Sequence, residues 1–188
     1  HRFKNITEAW LGGDHYKWRL IRTDGTTEKY ITGDAEDREK FQKFAKALPN
    51  AIGNPMYHWT HLELQRYFDC KVPLDETTAD EIWKLCNAAL QKPEMSVIGM
   101  IRKSNVAVIC TTDDPADDLQ WHKKIREAGI CTARVLPAMR PDRIMNIDKE
   151  GFLPYIKKLG QAAELEIHTM EDIYQVLSQR IDFFAAMG

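Results

Sequence analysis

Over the first hundred residues apolar positions recur at the three- and four-residue spacing of amphipathic helices; beyond that the period changes. Asn5 is placed to cap a short helix through Trp10, which Gly12-Gly13 would end. Asp14 is placed to cap a second helix to about Arg22, with Thr23-Asp24-Gly25 as a turn. From Asp34 to Leu48, Phe41, Phe44, Ala45 and Leu48 fall on one face, and Pro49 stops the run. Asn54-Pro55 marks a loop before an aromatic helix over 57–68. Thr78-Ala79-Asp80-Glu81 has the pattern of a capping box, opening a helix with Ile82, Trp83, Leu85, Cys86 and Leu90. Pro93 closes it, and a short apolar helix is expected over 95–102.

Near Ser104 the texture changes. Val106-Ala107-Val108-Ile109-Cys110 is a continuously apolar, β-branched run, the pattern of a strand buried on both faces. Residues 117–128 read as a helix ended by Gly129, and 132–136 as a second strand. Strand, helix and strand at this spacing predict a parallel βαβ unit. A helix over about 149–162, tolerating Pro154 near its start, and a final helix capped at Thr169 complete the pattern. The expected fold class is α/β: a helix-rich region over 1–103, then a βαβα portion over 104–188. Two parallel strands make a poor sheet, so the second portion reads as incomplete. Unpaired strand edges and apolar faces there are expected to drive self-association or to leave the region after Ser104 poorly ordered.

Composition narrows the class. The chain is 44% hydrophobic and 29% charged with a formal net charge of −2, as in globular proteins, and its basic residues are interspersed with acidic ones. Neither nucleic acid nor an anionic membrane is expected as a partner. No run approaches the ~20 apolar residues of a membrane span, and no apolar signal segment opens the chain. Four widely spaced cysteines without a C-x-x-C pair fit a reducing cytoplasm.

Sites in parallel α/β folds form at the carboxyl ends of strands, which singles out Thr111-Thr112-Asp113-Asp114-Pro115 and Pro137-Ala138-Met139-Arg140-Pro141-Asp142. Arg140 carries a planar fork that matches a carboxylate; equally, it can be a surface residue paired with Asp142. Asp113 and Asp114 fit helix capping better than catalysis. Asp14-His15-Tyr16-Lys17-Trp18-Arg19 is dense in groups that move protons or hold anions, yet composition alone makes it a solvated helix with Trp18 in the core. His58 and His61 stand at i and i+3, but no third ligand has a recognisable spacing, so packing is the expected role.

Five strings, in order, resemble the uronate (glucuronate) isomerase family of the amidohydrolase superfamily. They are Asp14-His15-Tyr16-Lys17-Trp18-Arg19, Tyr30-Ile31-Thr32-Gly33-Asp34, Gly53-Asn54-Pro55-Met56-Tyr57-His58-Trp59-Thr60-His61-Leu62-Glu63-Leu64, Cys110-Thr111-Thr112-Asp113-Asp114-Pro115 and Leu136-Pro137-Ala138-Met139-Arg140-Pro141-Asp142. The resemblance implies a (β/α)8 barrel, with residues up to about Lys103 inserted after the first strand and two further barrel strands beyond. It implies an aldose–ketose isomerase that converts D-glucuronate to D-fructuronate and D-galacturonate to D-tagaturonate by moving a proton between C2 and C1. Tyr16 is implied to transfer the proton, His15 to polarise the substrate oxygens, and Arg140 to bind the substrate carboxylate. The family's metal ligands, a His-x-His pair on the first strand and an Asp on the last, have no counterpart here. The chain is therefore expected to be an internal fragment, inactive alone and without a metal, from a parent holding a divalent metal, zinc by expectation. A homo-oligomer in the cytoplasm with a hexuronate substrate completes the implied picture. Two alternatives are a sugar-acid hydrolase of the same superfamily and a non-catalytic helical interaction module.

Overall fold

The structure, a computed structural model, describes residues 2–12 and 14–188. The chain divides into two compact units, His1–Met100 and Ile101–Gly188. Among the described residues no helix is long and apolar enough to cross a membrane.

The first unit is helical. Helices α1 (Ile6–Leu11), α2 (His15–Ile21), α3 (Asp37–Ala47), α4 (Pro55–Phe68) and α5 (Ala79–Leu90) are joined by short turns, and α6 (Val97–Lys103) carries the chain into the second unit. Their starts follow from local chemistry. The side chain of Asn5 accepts from Glu8 N, that of Asp14 from Tyr16 N and Lys17 N, and that of Asn54 from Met56 N, with Pro55 at the first helical position, where a missing N–H is harmless. Gly13, expected with Gly12 to end α1, lies outside the described residues. Trp10, Ile21, Phe41, Phe44, Leu48, Leu64, Ile82 and Leu90 share one core, and Trp10 packs against both Phe41 and Phe44 with ring centroids near 6 Å. The face predicted from Phe41, Phe44, Ala45 and Leu48 is buried throughout, although α3 begins three residues after Asp34.

One predicted device is absent. Thr78 precedes α5, but its hydroxyl does not cap the helix. It donates to Pro73 O at 2.7 Å and accepts from Asp75 N, while the Asp75 carboxylate accepts from Thr77 N and Thr78 N. The preceding turn consumes the hydroxyl that a capping box needs.

In the second unit, strands β1 (Val108–Asp113) and β2 (Arg134–Met139) pair in parallel across α7 (Gln120–Ala128), with Val108 opposite Arg134 and Asp113 opposite Met139. Helices α8 (Asp142–Met145), α9 (Phe152–Ala162) and α10 (Met170–Ala185) follow. Both strands begin two residues later than the apolar runs suggest, because pairing continues into the polar segment Thr111-Thr112-Asp113. The strands are not buried on both faces: exposure alternates along β1, and Val108 is 47% exposed. Burial on both faces requires layers that two strands and their helices do not supply. Helix α7 starts at Gln120, not Asp117, because the carboxylates of Asp117 and Asp118 turn back onto Leu119 N and Gln120 N. Gly129, at φ +60°, closes it as expected. At α10 the predicted cap is present in full: Thr169 accepts from Asp172 N, and the Asp172 carboxylate accepts from Thr169 N.

The core of this unit is small: Tyr155, Leu159 and Val176 with Ala116, and a second cluster of Leu119, Phe184 and Met187. Meanwhile Met145, Ile147, Leu153, Met170 and Tyr174 are more than half exposed along an apolar groove of about 690 Å³. So much apolar surface is unusual for a protein that stays monomeric. In sedimentation velocity the 188-residue chain is expected to associate as its concentration rises; a single monomeric species at every concentration would contradict this.

Candidate active site

Helix α2 brings the first two site residues together. Asp14 Oδ1 accepts from Tyr16 N at 2.9 Å and from Lys17 N at 3.4 Å, so the first turn is held on one carboxylate. His15 and Tyr16 follow directly, with ring centroids 4.1 Å apart, and both side chains are exposed, Tyr16 to 59%. A phenol and an imidazole side by side at an open helix start can donate to, accept from and exchange protons with a polar ligand. The expectation of a solvated helix anchored by Trp18 needs correction. Trp18 is only partly buried, and the residue that enters the core is Lys17, at 3% exposure. Its ammonium bonds to Glu63 Oε1 at 2.9 Å and Asp14 Oδ2 at 3.2 Å and lies 5.6 Å from the centre of the Trp10 ring.

Arg140 belongs to the other unit, immediately after β2. Its backbone N–H donates to Asp113 O at 2.8 Å, continuing the ladder beyond the last strand residue. Its guanidinium pairs with Asp142, Nε to Oδ2 at 3.2 Å, with both side chains more than half exposed. Both readings of Arg140 thus have a physical basis, and magnitude separates them. An exposed pair of this kind contributes only about 0–1 kcal/mol, so a ligand carboxylate can displace Asp142.

Beneath Arg140 lies a buried polar cluster. Thr111 donates its hydroxyl proton to Asp113 Oδ2 at 2.6 Å, so the 2.7 Å contact with His122 must be an N–H bond from Nε2 to the Thr111 oxygen. His122 Nε2 then carries a proton, and Nδ1 is buried without a partner among the described residues. Asp113 Oδ2 also accepts from Ala138 N at 3.3 Å. Asp113 therefore clamps the end of β2 through side chain and backbone together, and it does not cap a helix. Asp114 does act locally, accepting from Ala116 N, but it also accepts from the Tyr155 hydroxyl at 3.0 Å. Burial, then that carboxylate, pushes the Tyr155 phenol well above its ordinary value, so it stays protonated and keeps donating to Asp114.

The histidine pair of α4 is structural at His61. Its Nε2 accepts from Leu74 N at 2.9 Å and its Nδ1–H donates to Tyr57 O at 2.7 Å, leaving neither nitrogen for a metal. No group of three or more His, Cys, Asp or Glu side chains among the described residues could hold a metal ion, so these residues do not fit the divalent metal that the resemblance implies. Burial pushes the Cys86 thiol up to about 12, which makes it inert as a nucleophile.

Sequence reasoning gave no individual role to Lys17, Glu63 or Thr111 and did not name His122. A signal existed for the first: Lys17 stands four residues before Ile21, on the stripe that α2 must bury. None existed for His122, because Trp121 and Ile125 form the apolar face of α7, yet both are exposed while His122 is buried.

A helical unit, and a parallel βαβ unit with polar groups gathered at its strand ends, define an α/β protein of the kind that binds small ligands there. Comparison narrows this. The glucuronate isomerase family model matches residues 1–188, and the chain belongs to that family. The uronate isomerase of Lachnospira eligens is 54% identical over 187 residues, covering 100% of this chain and 40% of the relative. A crystal structure of uronate isomerase from Thermotoga maritima matches with TM-score 0.92 at 38% identity, covering 100% of this chain and 41% of that one. The glucuronate isomerase structure from Caulobacter crescentus, at 22% identity, shares the fold with TM-score 0.91 over 100% of this chain and 40% of its own. The chain spans about 40% of the length of the curated relatives it matches.

Proposed function

We propose that this chain is part of a uronate isomerase that converts D-glucuronate to D-fructuronate and D-galacturonate to D-tagaturonate. The observation that carries the reading is the family match along the whole chain. On this reading β1, α7 and β2 form one repeat of a (β/α)8 barrel that the remainder of the whole protein completes, and residues up to about Lys103 are an insertion. The whole protein is a cytoplasmic homo-oligomer, and its divalent metal, zinc by our reading, takes its ligands from outside this chain.

Aldose and ketose differ by one proton moved from C2 to C1 and one moved from O2 to O1. Tyr16, open to solvent on the first turn of α2, acts as its phenolate, taking the C2 proton and returning it to C1 of the enediol. His15, whose ring lies 4.1 Å from that of Tyr16, hydrogen-bonds the O1 and O2 oxygens, giving a proton to O1 as charge develops there and taking the proton from O2. Arg140 exchanges Asp142 for the substrate carboxylate, gaining a charged, two-point contact in place of a weak surface pair.

The test is a coupled assay for ketose formation from each hexuronate by the whole protein, repeated with Arg140→Met. Wild-type protein is expected to form ketose, and the variant to raise KM about 100-fold with kcat changed far less, as for a lost charged contact made equally in ground and transition states. Hydrolysis of another sugar acid without ketose formation would replace this reading with that of a hydrolase.

A further inference from the structure

Helix α2 is seven residues long, too short to hold its own shape, so its tertiary contacts fix where His15 and Tyr16 point. Only Lys17 and Ile21 are fully buried, one turn apart on the same face. Ile21 supplies apolar contact, which is non-directional and tolerates rotation about the helix axis. Lys17 supplies direction. Its ammonium is fixed between Glu63 Oε1 at 2.9 Å and Asp14 Oδ2 at 3.2 Å. Glu63 stands on α4, a helix of 14 residues, and the other oxygen of Asp14 holds Tyr16 N. An unbroken chain of polar contacts thus runs from a long helix to the backbone of the tyrosine. Removing charge from water is expensive, and a leucine at position 17 would seat the helix at lower cost.

We infer that the ion pair between the buried Lys17 and Glu63 is a positioning element that sets the orientation of the His15–Tyr16 pair for proton transfer. The inference rests on the isomerase reading of those two residues. Lys17 acts through Tyr16 and does not itself meet the substrate.

The experiment measures kcat and KM for D-glucuronate in the whole protein carrying Lys17→Met, Glu63→Gln or both, with folding followed by circular dichroism and thermal melting. Misplacing a reacting group by about 1 Å costs on the order of 100-fold, so Lys17→Met is expected to lower kcat by about that factor while KM stays within about threefold. Glu63→Gln keeps the volume and one acceptor, and an intermediate loss is expected. The double variant should match Lys17→Met alone, because both substitutions break one unit. A merely structural pair would lower the melting temperature and leave kcat per folded molecule unchanged, which overturns the inference. If Lys17→Met does not fold, Glu63→Gln decides it: kcat equal to wild type overturns the inference, and a loss in kcat at constant KM supports it. An inactive wild-type protein overturns the isomerase reading and this one with it. An active wild type whose kcat collapses in Tyr16→Phe but persists in Lys17→Met and Glu63→Gln overturns this one alone.

Discussion

Tyr16→Phe in the whole protein is expected to lower kcat for D-glucuronate by about 1000-fold, the middle of the range for removing a positioned acid–base group, and to leave the melting temperature unchanged. Stability should not move because the Tyr16 side chain is 59% exposed and its backbone, not its hydroxyl, is what Asp14 holds. Phe keeps the ring that packs against His15 and removes only the proton-carrying oxygen. A loss confined to KM would mean that Tyr16 binds without transferring the proton; retention of kcat would remove it from the chemistry. Steady-state kinetics at saturating hexuronate, beside a thermal melt, separates these results.

The largest expected effect on stability lies in the second unit, at Arg180. This guanidinium is 7% exposed and donates from Nε to Pro115 O at 2.7 Å, from Nη1 to Ala162 O at 3.1 Å and from Nη2 to Asp117 O at 2.6 Å, while lying 4.1 Å from the centre of the Phe183 ring. Burial lowers its pKa from the ordinary arginine value, the Asp117 charge opposes that, and the group remains a cation at neutral pH. Arg180→Met keeps the apolar stem but orphans three carbonyls, two of them in the loop that follows β1. A fully buried, unsatisfied group costs about 1–3 kcal/mol. Only the bond to Pro115 O is fully buried, and water can reach the other two carbonyls, so a total loss at the low end of the sum, about 3–5 kcal/mol, is expected. For a unit of this size that lowers the melting temperature by on the order of 20 °C. Arg180→Lys should recover only part of the loss, since an ammonium cannot span three carbonyls from one plane. A melt unchanged in Arg180→Met would show that the loop is held by other contacts.

Much of this molecule is legible in its sequence where a local rule decides alone. Asn5, Asp14 and Thr169 cap helices because a short polar side chain beside an apolar period has few better partners. Thr78 carries the same signal and fails, since Asp75 and Pro73 compete for its hydroxyl, and that competition is visible only in three dimensions. Apolar runs mark the strands, but pairing extends through Asp113, whose carboxylate accepts from the Thr111 hydroxyl and from Ala138 N and so holds polar residues in the ladder. The site divides in the same way. Arg140 follows from its place at a strand end, and His15 with Tyr16 from a family string; composition gave neither a role. The buried Lys17 and His122 were hidden because each depends on a partner distant in sequence, Glu63 for one and Thr111 for the other.

The central claim, proton transfer between C2 and C1 by Tyr16, is met most directly by proton NMR of D-glucuronate incubated with the whole protein in heavy water. The account predicts that D-fructuronate accumulates with some deuterium at C1, and that Tyr16→Phe abolishes both ketose formation and deuterium uptake. Ketose formed at an undiminished rate by the Tyr16→Phe protein, or hexuronate left untouched by the wild type, would contradict it.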